Sequence, residues 1–164
     1  PLRLVGSEMC IRDSVYAARA LVPDMIRRGG GYLVNVASGA SLLCQIGDAA
    51  YSATKSAALG FAESLAITHG DDGIKVSVVC PLYVETRMTE GGRGISGSDR
   101  VMSADEVADA VIEGMTAEQF LILPHQEVAK YAQRKGDDYD RWLVGMRRMR
   151  EGMLQKNPQF AYKV

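Results

Sequence analysis

Residues 31–55 read GYLVNVASGASLLCQIGDAAYSATK, and this stretch decides the fold prediction for the chain. Residues 32–37 form a nearly continuous apolar run, which is typical of a strand in a parallel sheet covered on both faces. Asp48 is a suitable N-cap for a long helix that Gly70 would end. The stretch therefore predicts a strand, a loop and a helix in that order.

The rest of the chain continues this alternation of strands and helices. Residues 74–80 predict a second buried strand that Pro81 ends, and residues 119–123 predict a third, short strand. Further helices are predicted over residues 15–28, 103–115, 126–134 and 139–154. The last helix carries an apolar stripe that indicates packing, formed by Trp142, Met146, Met149 and Met153. Alternation of this kind predicts an α/β fold with a parallel sheet, and we find no repeat, linker or second domain.

Tyr51 and Lys55 stand four residues apart in the long predicted helix, so they lie on one helix face. An ammonium beside a phenol favours the phenolate form, which makes the tyrosine a usable general acid and base. Ser38, at the end of the preceding strand, supplies a hydroxyl that can hold a substrate oxygen against that phenol. Ligands of open α/β sheets sit beyond the carboxyl ends of the strands, so this arrangement predicts a proton-transfer site there.

Three elements together resemble the short-chain dehydrogenase/reductase family. They are the YSATK motif at residues 51–55, Ser38 thirteen positions before its tyrosine, and the segment PLYVETRM at residues 81–88. A tyrosine and a lysine at this spacing recur by chance in many helices. The three elements in this order, each at its strand or helix end, are far more specific. The resemblance covers residues 15–164.

The resemblance implies a Rossmann-type, doubly wound parallel sheet, of which this chain would be the C-terminal part with three strands and flanking helices. It implies NAD or NADP as the cofactor. Ser38, Tyr51 and Lys55 would be the catalytic residues: the serine orients the substrate oxygen, the tyrosine transfers the proton, and the lysine also binds the cofactor ribose. The cofactor-binding residues carried over are Val36, Tyr51, Lys55, Pro81, Leu82, Val84 and Thr86.

The function implied by this resemblance is an NAD(P)-dependent oxidoreductase that interconverts a secondary alcohol and a ketone or other carbonyl by hydride transfer. Its partners would be a small-molecule alcohol or carbonyl substrate and, in the full-length protein, further copies of itself in a homo-oligomer. A sugar-nucleotide epimerase or dehydratase shares the tyrosine–lysine pair, but the spacing from Ser38 to Tyr51 disfavours it. A non-catalytic oligomerising module is a third reading, which a dinucleotide-binding measurement would distinguish.

The chain departs from the family pattern in three places. Leu82 stands where the family usually has a glycine, and so would crowd the backbone beside the cofactor. The family's asparagine would fall near Cys10 or Ile11, in a segment, residues 1–14, that we interpret as non-native or unstructured. We assign residues 15–164 to a partial NAD(P)-binding domain. No counterpart of the family's glycine-rich dinucleotide loop is evident, so we expect this chain alone to be inactive and to aggregate or oligomerise.

The composition argues against several other classes of protein. A formal net charge of −1 does not favour nucleic acid as a partner, and no apolar run reaches the ~18 residues of a membrane helix. Cys10, Cys44 and Cys80 lack metal-ligand spacing and are odd in number, which predicts reduced thiols in a cytoplasmic protein and no metal site. His69 and His125 are isolated histidines, which we interpret as structural or solvent-exposed.

Residues 92–97, GRGISG, match the dinucleotide fingerprint G-x-G-x-x-G by letters alone. They neither leave a strand nor open a helix directly, so the mechanism behind that fingerprint is missing. We interpret the surrounding polar, glycine-rich stretch, residues 90–100, as a mobile lid on the substrate side.

Overall fold

A computed structural model describes residues 5–86 and 101–156. Its strands β1 (Gly31–Val36), β2 (Ile74–Val79) and β3 (Leu121–Ile122) form one parallel sheet in the order β1-β2-β3. The helices of the described residues are α1 (Val5–Arg27), α2 (Ala40–Leu43), α3 (Ala49–His69), α4 (Ala104–Thr116), α5 (Glu127–Asp137) and α6 (Tyr139–Lys156). The predicted α/β class with a three-stranded parallel sheet and flanking helices is confirmed.

Helices cover both faces of the sheet. On one face, α1 and α3 pack against β2, and the shared core contains Ala18, Val22, Ala58, Ala62, Val76 and Val78. On the other face, the Tyr32 hydroxyl lies 2.8 Å from the Ser77 Oγ and donates to the Met115 carbonyl of α4 at 3.3 Å. Because β2 is enclosed on both sides, its four C-terminal residues are all buried, as the continuous apolar run predicted.

Strand β1 forms an edge of the described sheet. Its residues pair with β2 in register from Gly31 with Ile74 to Val36 with Val79. The Gly31 amide donates to the Gly73 carbonyl at 3.2 Å, and the Ala37 amide donates to the Val79 carbonyl at 2.8 Å. The odd-numbered amides of this segment therefore face β2. The amides at positions 32, 34 and 36 consequently point to the opposite side, where the described residues place no strand.

Two glycine turns set the starting points of β1 and β2. Gly29 and Gly30 have φ angles of 88° and 136°, and their amides bond to the Ile26 and Met25 carbonyls, which ends α1 in a Schellman arrangement. A Cβ on Gly30 would lie 2.6 Å from the carbonyl oxygen of Gly73. The turn after α1 and the turn before β2 are therefore in direct backbone contact, which aligns the two strands.

The helix starts follow the signals in the sequence. The Asp48 carboxylate accepts the Tyr51 amide at 2.9 Å, so the predicted N-cap of α3 is confirmed. Ser103 and Glu106 form a reciprocal capping box at the start of α4, also as predicted.

Other predictions require correction or lie outside the described residues. Residues 5–14 were predicted to be irregular, and this is wrong: α1 begins at Val5, because a helix anchored by packing extends at little cost per added residue. Helix α2 was predicted as loop. The stretch 90–100, with its G-x-G-x-x-G match, lies outside the described residues. Among the described helices, none is both long and apolar enough to span a membrane.

Candidate active site

The predicted site residues converge at the carboxyl edge of the sheet. Backbone pairing continues past the ends of β1 and β2. The Ala37 amide donates to the Val79 carbonyl and the Gly39 amide donates to the Pro81 carbonyl, each at 2.8 Å. The segment containing Ser38 therefore lies directly beside the segment that begins at Pro81. This is the edge at which open α/β sheets bind ligands.

Tyr51 and Lys55 lie near the start of α3 and share one face of it. The Lys55 Nζ is 5.7 Å from the centroid of the Tyr51 ring. Both residues are half-buried, so neither the phenol nor the ammonium is sealed from solvent.

The Ser38 side chain is held by the backbone at the start of α2. Its Oγ accepts a hydrogen bond from the Ala40 amide in the first turn of α2 at 3.1 Å. Accepting that bond uses a lone pair and leaves the hydroxyl proton able to donate elsewhere. The serine is thus oriented by backbone at the point where a substrate oxygen is expected.

Serine hydroxyls join α2 and the residues just after it to the part of α3 that carries Tyr51 and Lys55. The Ser41 Oγ donates to the Lys55 carbonyl at 2.8 Å, and the Ser56 Oγ donates to the Ser41 carbonyl at 3.2 Å. The Ser52 Oγ accepts the Gln45 amide at 2.7 Å. These bonds fix the segment that carries Ser38 relative to the helix that carries Tyr51 and Lys55.

The Cys80 thiol lies beneath this site, at the end of β2, and is fully buried. Burial raises the pKa of the Cys80 thiol, while the Ser38 backbone, the Ser41 hydroxyl and the Lys55 charge act in the opposite direction. The raised pKa keeps the thiol neutral at neutral pH, which makes it a poor nucleophile. Its neighbours also show that Ser38, Ser41 and Lys55 surround one point at the sheet edge.

The residues predicted to hold a dinucleotide lie at the same edge. Val36 is 68% exposed at the end of β1, the edge strand of the described sheet. The segment after Pro81 is anchored by a parallel bridge between Val84 and Met102. The Glu85 amide donates to the Met102 carbonyl at 2.8 Å, and the Thr86 side chain lies exposed just beyond it.

A cavity of about 700 Å³ opens next to Ser38, between α2, the segment after Pro81, and the helices α5 and α6. Its volume is that of a small-molecule site. The apolar part of its wall is formed by Leu43, Ile46, Leu82, Trp142, Met146 and Met149. The stripe on α6 was predicted to pack, and three of its members instead line this cavity. Ser38, Tyr51 and Lys55 are not in the wall, which starts at Gly39.

A family profile described as short chain dehydrogenase matches residues 9–93. The chain belongs to this family. The match begins inside the segment of residues 1–14 that the sequence analysis set apart. It includes Ser38, Tyr51, Lys55 and the segment after Pro81.

Individual relatives agree with the family assignment. The chain is 35% identical over 128 residues to 1-deoxy-11-beta-hydroxypentalenate dehydrogenase of Streptomyces exfoliatus, an alignment that covers 76% of this chain and 46% of the relative. A short-chain dehydrogenase from Sphingobium yanoikuyae, solved in complex with NADPH, is 27% identical with a TM-score of 0.61, covering 79% of this chain and 50% of that one. A short-chain dehydrogenase from Burkholderia cenocepacia, solved with NADP, has a TM-score of 0.71 at 22% identity, covering 82% and 54%. The chain spans about half the length of these relatives.

Leu82 occupies the place where short-chain dehydrogenases usually have glycine, and the structure shows what makes room for it. A Cβ on Gly39 would lie 2.4 Å from the Leu82 Cδ2 and 3.4 Å from the Pro81 carbonyl oxygen. The leucine side chain therefore rests on the bare backbone of Gly39. The leucine at position 82 can take this position only because residue 39 is a glycine.

The contact between Gly39 and Leu82 gives a prediction for stability. Gly39→Ala in the complete protein is expected to lower the free energy of unfolding by up to about 1 kcal/mol, the low end of overpacking costs, because the added methyl must displace the Cδ2 end of the Leu82 side chain, which borders the cavity. Gly39 has φ −54° and ψ −26°, which alanine adopts freely, so backbone strain adds nothing. Denaturant unfolding measures the change. Adding Leu82→Ala should restore part of the loss.

Gly60→Ala is the matched control, since a Cβ there meets no atom within 4 Å in the middle of α3. It is expected to stabilise by up to about 1 kcal/mol through helix propensity. Purely additive effects of Gly39→Ala and Leu82→Ala would contradict the contact, because residues that touch couple in double-mutant cycles.

His125 is a buried polar residue close to this site. The sequence analysis interpreted it as structural or solvent-exposed, and it is structural: it is only 2% exposed, behind the segment after Pro81, and both ring nitrogens are hydrogen-bonded. An isolated histidine that follows a two-residue strand does not indicate where in the fold its side chain lies. Among the described residues there is no cluster of three or more potential metal ligands.

Proposed function

We propose that the complete protein is an NAD(P)-dependent oxidoreductase that interconverts a secondary alcohol and a ketone or other carbonyl through Ser38, Tyr51 and Lys55. The observation that carries this proposal is the Lys55 Nζ at 5.7 Å from the Tyr51 ring centroid, on the helix beside Ser38. Membership of the short-chain dehydrogenase family supports the reaction class.

The proposed residues divide the proton chemistry among them. In the oxidation direction, the Tyr51 phenolate takes the hydroxyl proton of the alcohol while Ser38 hydrogen-bonds the same oxygen. In reduction, the phenol returns that proton to the oxygen of the carbonyl. Lys55 stabilises the phenolate in both directions. A bound nicotinamide accepts or supplies the hydride, which is chemistry that no side chain provides.

The cofactor is proposed to lie along the carboxyl edge of the sheet. Val36 would contact the nicotinamide ring, and the backbone at Val84 with the Thr86 side chain would hold its carboxamide. Pro81 and Leu82 shape the backbone that approaches the ring, and Lys55 would bind the ribose. The NADPH complex of the relative from Sphingobium yanoikuyae supports a nicotinamide dinucleotide, and either NAD or NADP is compatible with these contacts.

The cavity beside Ser38 is proposed to receive the substrate. Its wall is mostly apolar, with Arg134 and Arg141 at its α5 and α6 side. A site of about 700 Å³ accommodates a bulky small molecule. The relative from Streptomyces exfoliatus carries a hydroxylated compound in its name, in line with an alcohol substrate.

The complete protein is proposed to be a cytoplasmic homo-oligomer, and the chain of 164 residues to be inactive by itself. Cys44 and Cys80 are free thiols, which suits a reducing compartment. Within the described residues no strand pairs with the outer side of β1, and Val36 at its end is exposed, which supports the proposal that the chain is inactive by itself.

Substitution of Ser38 in the complete protein tests the proposal. Ser38→Ala is expected to lower kcat by about 10²–10³, as removal of a hydrogen-bond donor to a reacting oxygen does. Ser38→Thr keeps the hydroxyl and should retain much more activity. The measurement is the rate of NAD(P)H formation with a panel of bulky secondary alcohols. Net NAD(P)H formation also separates this function from an epimerase, which returns the hydride to its substrate.

Thr54→Val is the matched control for Ser38→Ala. Among the described residues, the Thr54 hydroxyl donates to the Ala50 carbonyl of its own helix, at 2.9 Å, so its loss should leave kcat unchanged. Wild-type turnover in Ser38→Ala, or equal losses in both variants, would contradict the proposed role.

A further inference from the structure

His125 lies between β3 and α5 and contacts the segment after β2 through both ring nitrogens. The Leu82 amide donates to its Nδ1 at 3.1 Å, and its Nε2 is 3.1 Å from the Tyr83 carbonyl oxygen. The side chain is buried, and its own carbonyl accepts the Val128 amide at the start of α5. One residue thus joins the segment after Pro81 to the helix that forms a wall of the cavity.

The two hydrogen bonds determine which tautomer the ring adopts. A backbone amide can only donate, so Nδ1 must carry a lone pair toward Leu82. A carbonyl oxygen can only accept, so Nε2 must carry the proton toward Tyr83. The neutral Nε2–H form satisfies both partners, whereas an imidazolium would place a proton against the Leu82 amide.

The Tyr83 carbonyl is fixed from two sides. It accepts the Met102 amide at 3.0 Å as well as the His125 Nε2 at 3.1 Å. Two donors occupy both lone-pair directions of that oxygen, so the peptide between Tyr83 and Val84 has little freedom to rotate. The backbone of Val84, which the proposed function assigns to the nicotinamide carboxamide, follows directly.

We infer that His125 is a positioning residue for the nicotinamide half of the cofactor, acting through the hydrogen bonds that it makes to Leu82 and Tyr83. This inference rests on the proposed function. A small displacement of a binding backbone weakens the interaction strongly, because hydrogen bonds depend on donor–acceptor geometry. His125 is buried and hydrogen-bonds Leu82 and Tyr83, so its proposed role is to determine where the segment of residues 81–86 lies.

The test compares two ligands in the complete protein, because His125 supports only the nicotinamide side. Titration with NAD(P)⁺ and with ADP-ribose (or its 2′-phosphate for an NADP-preferring protein) gives the affinity with and without nicotinamide. For His125→Leu we expect NAD(P)⁺ affinity to fall about tenfold, the effect of one or two lost hydrogen bonds. The affinity for ADP-ribose should stay at the wild-type value.

Partial replacements of the ring provide further variants if the leucine variant folds poorly. An asparagine amide at position 125 can accept the Leu82 amide, and a glutamine amide can donate to the Tyr83 carbonyl. Each variant keeps one of the two hydrogen bonds and should lose less NAD(P)⁺ affinity than His125→Leu. If either variant binds NAD(P)⁺ as weakly as His125→Leu or more weakly, the inference is contradicted.

Ser77→Ala is the matched control for loss of a buried polar group. Ser77 is fully buried in β2, and its Oγ donates to the Gln119 carbonyl at 2.6 Å. It lies inside the strand, four residues before Pro81, and its Oγ bonds to Tyr32 and Gln119 rather than to residues 81–86. It should lower the melting temperature without separating the two ligands. If His125→Leu weakens NAD(P)⁺ and ADP-ribose equally, or weakens neither, the inference is overturned. Wild-type protein that binds neither ligand would overturn the proposed function, and this inference with it.

Discussion

Replacement of Tyr51 by phenylalanine in the complete protein is expected to lower turnover by about 10²–10⁴-fold, the usual contribution of a positioned acid or base. The substitution removes only the hydroxyl, so the ring and its neighbour Lys55 keep their places on α3. Dinucleotide affinity should remain nearly unchanged. Steady-state kinetics with NAD(P)⁺ and a fluorescence titration of the cofactor measure the two quantities separately.

Tyr16→Phe is the control for this variant. Tyr16 is 56% exposed on α1 and its hydroxyl contacts Arg12, which is not among the proposed site residues, so its loss should leave turnover at the wild-type level. Near-wild-type turnover in Tyr51→Phe would remove the tyrosine from the proposed mechanism.

Lys55→Met is expected to impair both rate and binding, because one ammonium serves two partners. Loss of the charge removes stabilisation of the Tyr51 phenolate, with a fall in turnover approaching that of Tyr51→Phe. Loss of a charged hydrogen bond to the ribose should weaken the dinucleotide by about 10–100-fold. Turnover at saturating cofactor and the cofactor dissociation constant distinguish the two contributions.

Lys75→Met is the corresponding control. Lys75 lies on β2 and pairs with Glu118 in an exposed contact, and such pairs contribute little to stability. Both kinetic quantities should match the wild type in this variant. Unchanged cofactor affinity in Lys55→Met would show that the ribose role is wrong while leaving the role in proton transfer open to the turnover result.

The sequence predicted most of the fold because the elements carry local signals. Asp48 and Ser103 act through side-chain bonds to amides three residues ahead, so their effect depends on neighbouring sequence alone. Apart from the start of α1, the predicted helices and strands agree with the structure to within three residues at each end. The juxtaposition of Tyr51 and Lys55 was accessible for the same reason, since helix geometry brings them together.

Features that depend on distant parts of the chain were not predictable. His125 gains its position from carbonyl and amide groups more than forty residues away. The place of Leu82 depends on the missing side chain of Gly39, and the cavity depends on how α5 and α6 return to the sheet edge. Helix α2 has only four residues, too few for a periodic pattern, and is held by bonds to α3. Tertiary contacts decide all of these features.

Among the residues that the structure describes, no strand pairs with the side of β1 opposite β2, so the stability of the folded chain depends on what binds there. The amides at positions 32, 34 and 36 point away from β2, so a strand that pairs with them binds the folded chain and not the unfolded one. By mass action such a strand adds about 2.7 kcal/mol to the free energy of unfolding when present at a hundred times its Kd. A melting temperature measured for this chain therefore has meaning only together with the concentration of whatever occupies that edge.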